Sequence, residues 1–360
     1  MQGIELSRRF YAEIVRPFLD AAAPGLRHAA ALVGYGSELL GFDDATSRDH
    51  NWGPRVLVIV DKADFSAHAR RLVDGFAAMA PAQYLGEPIG WQSRPHPAPD
   101  AEGEFGRIEH GLEVHTLDAL STRLLGIAPE HPLTALDWLG LAEQRLLALT
   151  AGAVFHDDDG RLTALRQRLA WFPDDVFFYK LAGQWRRIAE EQAFVGRTGQ
   201  VGDDLGSRVV AARLVRDIMR LAFLLERRYA PYSKWFGSGF ARLPLAATLT
   251  PLLEVALTAP HWQPRGEALA EAYLALARHQ AASGLAPFTP VIGPYYERPF
   301  ATINADDAVA AARAAITDPT LAALDTIGGL DQVTDLTPVL ESPGMSRRLI
   351  GAVLAPADAS

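Results

Sequence analysis

A glycine–serine turn is the segment of the sequence with the clearest potential for chemistry. Gly34-Tyr-Gly-Ser37 follows a short apolar stretch, and eleven residues separate Ser37 from Asp49. Gly36 lets the backbone come close to a bound group, and Ser37 with its neighbouring N–H groups can bind phosphate oxygens. An ordinary turn is the alternative explanation. A kinase-type loop is not indicated, because neither Gly-Lys-Ser/Thr nor His-Arg-Asp follows.

Short apolar segments near this turn predict a sheet that positions it. The ranges 29–33, 56–60 and 112–116 are typical of strands, and the second is rich in β-branched residues. Apolar residues at helical spacing predict helices over 5–22 and 66–80, and Ser37 to Leu40 is expected to open another. We expect a loop over 86–106, which is rich in proline, glycine and charge.

The rest of the chain, after about residue 133, is predicted to be helical. The clearest helices are expected over 205–229, 266–282 and 305–316, with a proline-rich aromatic loop over 287–299. These elements predict an α+β fold with a domain at 1–130, a helical domain at 131–354 and a flexible tail at 355–360. The range 161–240 carries an excess of positive charge, which suits an anionic ligand but is also common on helix surfaces.

Composition excludes several classes of protein. The chain has no cysteine, which excludes disulfides, thiolate metal sites and a cysteine nucleophile. Its net charge of −9 argues against a nucleic-acid-binding polycation. No apolar run reaches the roughly 18 residues of a membrane span, and charged residues occupy the place where a signal peptide would be apolar. We expect a cytoplasmic protein without a membrane partner.

The combination of strand, Gly36-Ser37 turn, gap and Asp49 resembles the nucleotidyltransferase superfamily, which has the DNA polymerase β-like fold. Three longer segments are similar to a poorly characterised bacterial family within it; they are Gly41-Phe-Asp-Asp…Ser-Arg-Asp-His-Asn-Trp-Gly-Pro-Arg55, Gly196-Arg-Thr-Gly…Gly-Asp-Asp-Leu-Gly-Ser207 and Glu226-Arg-Arg-Tyr-Ala-Pro-Tyr-Ser-Lys-Trp235. The resemblance implies a mixed-sheet nucleotidyltransferase-like domain with flanking helices. It also implies a helical substrate-binding domain akin to those of aminoglycoside nucleotidyltransferases.

The resemblance also implies a ligand set for Mg²⁺ and a nucleoside triphosphate. Asp49 and Asn51 would hold the metal, and Glu113 would be the third ligand or the general base for an acceptor hydroxyl. Two metal ions would activate that hydroxyl and stabilise the leaving pyrophosphate. A solvent-facing glutamate on a strand is the alternative for Glu113. The family pattern has an acid where this chain has Asn51, and an amide brings no charge to the metal.

Basic residues of the helical half are candidates for binding phosphates. They are Lys180, Arg187, Arg208 and Lys234, and two of them belong to the three lysines among 34 basic residues. Lys180 follows a run of aromatic residues, and Lys234 lies between Tyr232 and Trp235, where a base could stack. Core packing is the alternative explanation for these aromatic residues.

Other polar residues have a structural explanation beside a functional one. Asp49-His50 with His115 could form a transition-metal site, although an isolated histidine is more often structural. Asp43 and Asp44 are expected to shape the loop. Asp203 and Asp204 are placed to cap a helix, and binding of a substrate amine is the alternative.

Three functions remain open at this point. The first is Mg²⁺-dependent transfer of a nucleoside monophosphate to a hydroxyl of a small molecule or protein, with release of pyrophosphate. The second, suggested by Asn51, is a weak or inactive nucleotide-binding regulatory module. The third is a structural or interaction protein with a vestigial cleft.

Overall fold

The structure is a computed structural model that describes residues 1–46, 52–89 and 110–355. It divides into two compact units that do not follow a single cut in the sequence. The first unit contains residues 1–132 and 145–170, and the second contains residues 133–144 and 171–360. The predicted boundary near residue 130 is thus the end of one segment of the first unit, and a later segment returns to it.

The elements are numbered in chain order. The strands are β1 (Ala29–Leu32), β2 (Val56–Val60), β3 (Gln83–Tyr84), β4 (Glu87–Pro88), β5 (Leu112–Thr116), β6 (Ala153–Asp157), β7 (Ile292–Tyr295) and β8 (Arg298–Ile303). The helices are α1 (Gly3–Phe10), α2 (Arg16–Ala22), α3 (Lys62–Met79), α4 (Leu117–Leu125), α5 (Ala135–Leu139), α6 (Glu143–Thr150), α7 (Arg161–Arg168), α8 (Asp174–Glu191), α9 (Phe194–Gln200), α10 (Asp204–Leu225), α11 (Ser233–Phe240), α12 (Ala246–Thr258), α13 (Trp262–Ala282), α14 (Ala305–Ala314), α15 (Pro319–Ala323), α16 (Leu330–Val333), α17 (Thr337–Glu341) and α18 (Pro343–Val353).

A mixed sheet forms the centre of the first unit. Within the described residues its strand order is β5-β2-β1-β6, with β2 and β5 parallel and the other pairs antiparallel. Side chains alternate between the two faces. One face, which includes Ala30, Val58 and Val114, packs into a buried apolar cluster with Phe10 of α1 and Phe76 of α3. This packing fixes the register of the strands, because a shift by one residue would turn the apolar face outward.

The first helical segment is longer than a single regular helix. Between α1 and α2 the chain makes a π-helical turn over Tyr11–Val15. Pro17 lies in the first turn of α2. Because proline has no N–H, it cannot make the hydrogen bond that would continue the preceding helix. The prediction of a helix over 5–22 therefore identified the right segment, and the wider turn accommodates the proline.

Strand β6 is the main departure from the predicted secondary structure. We expected residues 153–157 to be helical, but they form an edge strand in which His156 pairs with Ala30 of β1. The segment is short and includes His156 and Asp157, so it lacks the continuous apolar character of the other strands. Pairing with an already ordered neighbour, rather than local propensity, determines its structure.

The second unit is mainly helical. Its long helices α8, α10 and α13 bury one face each. On α10 the buried face includes Ala211, Leu214, Ile218 and Leu221, whereas Leu205 and Val209, which the sequence places on an apolar stripe, are exposed. The predicted loop at 287–299 instead contributes to an antiparallel hairpin of β7 and β8. A two-stranded hairpin tolerates Pro294 because each strand is an edge strand. The α+β fold class is confirmed, with this small hairpin added to the helical part.

Within the described ranges, each helix is too short or too polar to cross a membrane. Residues 356–360 of the predicted tail and residues 90–106 of the predicted loop lie outside the described residues, and the described start of that loop contains β4.

Candidate functional site

The glycine–serine turn lies directly after β1 and has the geometry of a cradle. Gly34 and Gly36 have φ angles of +106° and +143°, which favour glycine over residues with a side chain. Ser37 precedes a single 3₁₀ turn, Glu38–Leu40, without capping it through its side chain. Among the described residues, the N–H groups of Gly36 and Ser37 and the Ser37 hydroxyl donate to no protein acceptor. These donors are available to an anionic ligand.

A buried ion pair holds this turn against the start of β2. Arg55, which precedes β2, donates from Nε to Glu38 Oε1 at 3.0 Å and from Nη2 to the Tyr35 carbonyl at 2.6 Å. The Glu38 side chain is fully buried, and that of Arg55 is 17% exposed. A side chain at Gly36 would collide with both partners. The sequence thus needs glycine here, because the Glu38–Arg55 pair occupies the space beside it.

Burial of Glu38 has an electrostatic consequence. Burial raises the pKa of its carboxyl, and the charge and hydrogen bond of Arg55 only partly offset this effect. Glu38 Oε2 has no hydrogen-bond partner in the described part of the chain. The carboxylate therefore depends on Arg55 to remain charged in the interior, and the turn depends on the pair for its position.

Glu113 lies at the same end of the sheet as the turn. It pairs in register with Leu57, which pairs with Ala31 next to the end of β1. These positions share the face opposite the apolar cluster of the first unit. The side chain of Glu113 is 37% exposed, whereas its neighbour on this face, His115, is buried. A carboxylate thus reaches solvent two strands away from the glycine–serine turn.

The Glu113 carboxyl is ionised well below neutral pH. His115 Nε2 lies 3.0 Å from Glu113 Oε2. Burial raises the pKa of Glu113, but the hydrogen bond and charge of His115, with the charges of Arg123 and Arg55, lower it by more, to about 2. The effect of Arg55 connects this carboxylate electrostatically with the ion pair behind the turn. An anionic oxygen of this kind suits Mg²⁺, which is held by carboxylates and substrate phosphates together.

The predicted ligands Asp49 and Asn51, with His50, lie outside the described residues. The residue that follows them, Trp52, is anchored, since its Nε1 donates to Asp43 Oδ2 at 3.1 Å. Asp43 also accepts from the Gly3 N–H at 2.8 Å. Asp44 accepts from the Thr46 N–H. The expectation that Asp43 and Asp44 shape this loop is confirmed.

A different histidine cluster occurs at the other end of the sheet. Ligand atoms of His28, His156 and Asp158 lie within 4.8 Å of one another. Both ring nitrogens of His28 have partners, Tyr11 and the Leu26 carbonyl. A guanidinium nitrogen of Arg16 lies 3.3 Å from His156 Nε2, which opposes a second cation. The cluster is therefore explained as a hydrogen-bonded network.

Lys180, predicted to hold phosphate, lies in the interior of the second unit. Its side chain is 1% exposed, and Nζ lies 3.1 Å from Glu143 Oε1 and 4.6 Å from the centre of the Phe172 ring. Glu143 also accepts from the Ala230 N–H. The ammonium group thus has a carboxylate partner inside the protein, although Nζ makes no hydrogen bond with the described residues. The alternative of core packing therefore accounts for Lys180, and we leave it out of the proposed site.

The other basic candidates have varied surroundings. Arg187 makes a two-pronged pair with Asp217 and lines a cavity discussed below. Arg208 is paired with Asp204 one turn away on α10. Lys234 is exposed, with Nζ 5.1 Å from the centre of the Trp235 ring. Of these, Arg187 and Lys234 remain candidates for contact with a ligand.

The acidic pair before α10 serves the protein itself. Asp203 caps the helix by accepting from the Gly206 N–H at 2.8 Å. Asp204 pairs with both Arg208 and the buried Arg265. The helix-capping explanation is confirmed for Asp203, and Asp204 ties two helices together.

Sequence reasoning missed the Glu38–Arg55 pair. The available signal was Glu38 itself, a charged residue inside the otherwise apolar run Glu38-Leu-Leu40 at the opening of a helix. A buried acid predicts a buried partner. Arg55 was hidden by the abundance of arginine in the chain.

Comparisons with known proteins give a limited result. A family model described as a domain of unknown function (DUF4037) matches residues 138–236, which include all of α8, α9 and α10. No curated protein matches the chain. Among solved structures, a nucleotidyltransferase-like protein from Exiguobacterium sibiricum is similar over 77% of this chain and 76% of its own, with 14% identity and a TM-score of 0.34. This structural likeness is distant.

Proposed function

We propose that the chain transfers a nucleoside monophosphate from a nucleoside triphosphate to a hydroxyl, with release of pyrophosphate. The observation that carries this proposal is the arrangement at one end of the mixed sheet. There, a turn whose Gly36 and Ser37 N–H groups are unbonded among the described residues is fixed by the Glu38–Arg55 pair, and the ionised Glu113 reaches solvent two strands away. Binding of a magnesium nucleotide requires N–H donors for the phosphate oxygens and carboxylate ligands for the metal.

Each residue has a defined task in this proposal. Gly36 and Ser37 bind phosphate oxygens of the nucleotide through their N–H groups and the Ser37 hydroxyl. Asp49, Asn51 and Glu113 provide oxygen ligands for Mg²⁺, which neutralises phosphate charge when bound. Glu113 is the described member of that set, and its low pKa keeps it anionic at neutral pH. His115 orients Glu113 from the same face of β5.

A second candidate function is nucleotide binding without turnover. Asn51 favours it, since an amide in place of a second acid lowers the negative charge available to divalent cations. The two candidates share the same turn and differ in the chemistry that follows binding. A regulatory module of this kind would gain affinity for Mg²⁺ in the Asn51→Asp variant.

A thermal-shift experiment tests the shared binding step. The full chain is heated with each of the four ribonucleoside triphosphates, with and without Mg²⁺. A nucleotide at 100 times its Kd stabilises the folded state by about 2.7 kcal/mol. We expect such a shift for at least one nucleotide with Mg²⁺, and no nucleotide-dependent shift would support the structural reading instead.

Matched variants locate the binding. Glu113→Gln removes one carboxylate of the proposed set, and Glu5→Gln removes one from the exposed surface of α1. We expect Glu113→Gln to lose most of the Mg²⁺-dependent part of the shift, whereas Glu5→Gln retains it. Equal shifts in the two variants would contradict the role of Glu113.

A further inference from the structure

The helical unit contains a polar cavity of about 380 Å³ that the proposed reaction does not use. Its lining is dominated by charge and comes from α8, α10, α16 and the two residues that follow α16. The charged residues of the lining are Arg187, Arg213, Arg216, Arg220, Asp217, Asp331 and Asp335. Four arginines thus face three carboxyl groups.

Arg187 and Asp217 form a rigid wall of the cavity. Arg187 Nε lies 2.8 Å from Asp217 Oδ1, and its Nη2 lies 3.3 Å from Oδ2. Its Nη1 donates to the Gln332 carbonyl at 3.1 Å, and Gln184 donates to Asp217 Oδ1 at 3.0 Å. The Asp217 carboxylate is 2% exposed. These two charges neutralise each other, and the rest of the lining holds three arginines against Asp331 and Asp335.

Arg220 is the lining arginine without an ion pair among the described residues, although its charge partly offsets the rise that burial causes in the pKa of Asp331. Among the described residues, its guanidinium has no carboxylate within ion-pair distance, and its Nε is buried without a hydrogen-bond partner. It lies 5.5 Å from the centre of the Phe236 ring, which holds it over an aromatic face. A ligand in the cavity would bond the Nη groups of Arg220, because these are accessible and Nε is not.

Arg213 and Arg216 can join Arg220 on a ligand. Arg213 and Arg216 are three residues apart on α10, and Arg216 and Arg220 are four apart. All three therefore face one side of the helix over about 10 Å. Arg213 pairs with Glu191 and Arg216 with Asp335, but both arginines are exposed in part. Such surface pairs contribute little to stability and exchange readily for a stronger acceptor.

The pKa of Arg216 reflects the positive charge of its neighbour Arg220. Burial lowers the pKa of Arg216, and the charge of Arg220 lowers it further, while Asp335 and Asp217 act in the opposite direction. Two guanidinium groups that repel each other at the edge of one cavity are stabilised by an anion between them.

We propose that this cavity binds the phosphate groups of a small phosphorylated molecule, with Arg220 as the central contact and Arg213 and Arg216 beside it. Planar guanidinium groups match phosphate oxygens in pairs, which favours phosphate over a singly charged group. Three such groups over about 10 Å suit a ligand with two phosphates or a diphosphate. The volume also leaves room for an organic part. The inference does not depend on nucleotide transfer.

Calorimetric titration with inorganic pyrophosphate tests the proposal. The full chain is titrated at neutral pH in EDTA, so that binding through Mg²⁺ does not contribute. We expect saturable binding by the native chain and a loss of affinity of at least tenfold in Arg220→Gln. Arg220→Lys should be intermediate because it keeps the charge but not the planar fork. Arg216→Gln, which changes a partly exposed arginine, should weaken binding about threefold to tenfold.

Arg186→Gln is the matched control. Arg186 neighbours Arg187 on α8, but it is exposed, pairs with Glu190 and does not line the cavity. We expect its affinity to stay within twofold of the native chain. Absence of saturable binding by the native chain would overturn the proposal. So would native affinity in folded Arg220→Gln and Arg216→Gln, or an equal loss in Arg186→Gln, which would indicate attraction by overall charge. No outcome depends on turnover, so failure here is separate from failure of the proposed transferase.

Discussion

Removal of Arg55 should destabilise the first unit through the carboxylate that it leaves behind. In Arg55→Met the fully buried Glu38 side chain loses its ion-pair partner. Removing one member of a buried pair costs about 3–5 kcal/mol. The reverse change, Glu38→Gln, keeps an oxygen that Arg55 can still bond, and Arg55 retains the Tyr35 carbonyl. We expect that variant to lose only about 1–2 kcal/mol.

The double variant separates charge burial from lost packing. Glu38→Gln removes the charge that Arg55→Met leaves uncompensated. We therefore expect the double variant to be more stable than Arg55→Met alone by at least about 1 kcal/mol, because contacting residues are not additive. Two independent losses would instead make the double variant the least stable of the three.

The pH dependence has a definite sign. Burial raises the pKa of Glu38 in the folded protein, and loss of the Arg55 charge raises it further. A carboxyl with a raised folded pKa favours the folded state at low pH and loses that contribution as pH rises. Arg55→Met should therefore lose up to about 1.4 kcal/mol per pH unit relative to the native chain, from about pH 4.5 up to the raised pKa.

Urea unfolding followed by tryptophan fluorescence measures these differences. The native chain and the three variants are compared at pH 5 and pH 8. We expect the free energy of unfolding of Arg55→Met to be closest to that of the native chain at pH 5. At pH 8, addition of Glu38→Gln should restore part of the lost free energy. A deficit in Arg55→Met that is equal at both pH values, or a failure of Glu38→Gln to restore stability, would refute this role of the pair.

Three further changes test other parts of the structure, each by urea unfolding. Lys180→Met should cost about 3–5 kcal/mol, because it leaves Glu143 buried without its partner; a loss below 1 kcal/mol would contradict this. Tyr84→Phe removes the 2.6 Å hydrogen bond to Glu13 and should cost about 1 kcal/mol at neutral pH. Burial and Glu13 raise the pKa of Tyr84 to about 12. The difference in free energy of unfolding between the native chain and Tyr84→Phe should therefore disappear between pH 10 and 12, and an unchanged difference would contradict this role of the hydrogen bond. Asp203→Ala removes the cap of α10 and should cost about 1 kcal/mol, whereas an unchanged midpoint would deny the cap a role.

The parts of the fold that sequence predicted are those with strong local patterns. Strand β2 is an apolar run rich in β-branched residues, and α10 is a long amphipathic helix, so both were found close to their observed bounds. The buried face of α10 was nevertheless misplaced at its start, where Leu205 and Val209 are exposed. Strand β6 was missed because its stability comes from pairing with β1, a contact distant in sequence. The return of residues 145–170 to the first unit was missed for the same reason.

The candidate site was predictable only where residue type limits conformation. Gly36 and Ser37 occupy the strand-end turn that their types indicated, and Glu113 lies at the same end of the sheet. The burial of Lys180 was not foreseen, since sequence does not distinguish an exposed lysine from one enclosed beside Glu143. Arg220 went unnoticed because its isolation depends on which acids surround it in space.

The most direct measurement for the proposed transferase is Mg²⁺-dependent release of pyrophosphate. The purified chain is incubated with each ribonucleoside triphosphate, Mg²⁺ and a pool of sugars and polyols as hydroxyl acceptors. We expect release with at least one nucleotide, its loss on addition of EDTA, and its abolition in Asp49→Ala, with Glu5→Gln as the active control. Release that persists in Asp49→Ala, or nucleotide binding by the native chain without any release, would contradict nucleotidyl transfer at this site.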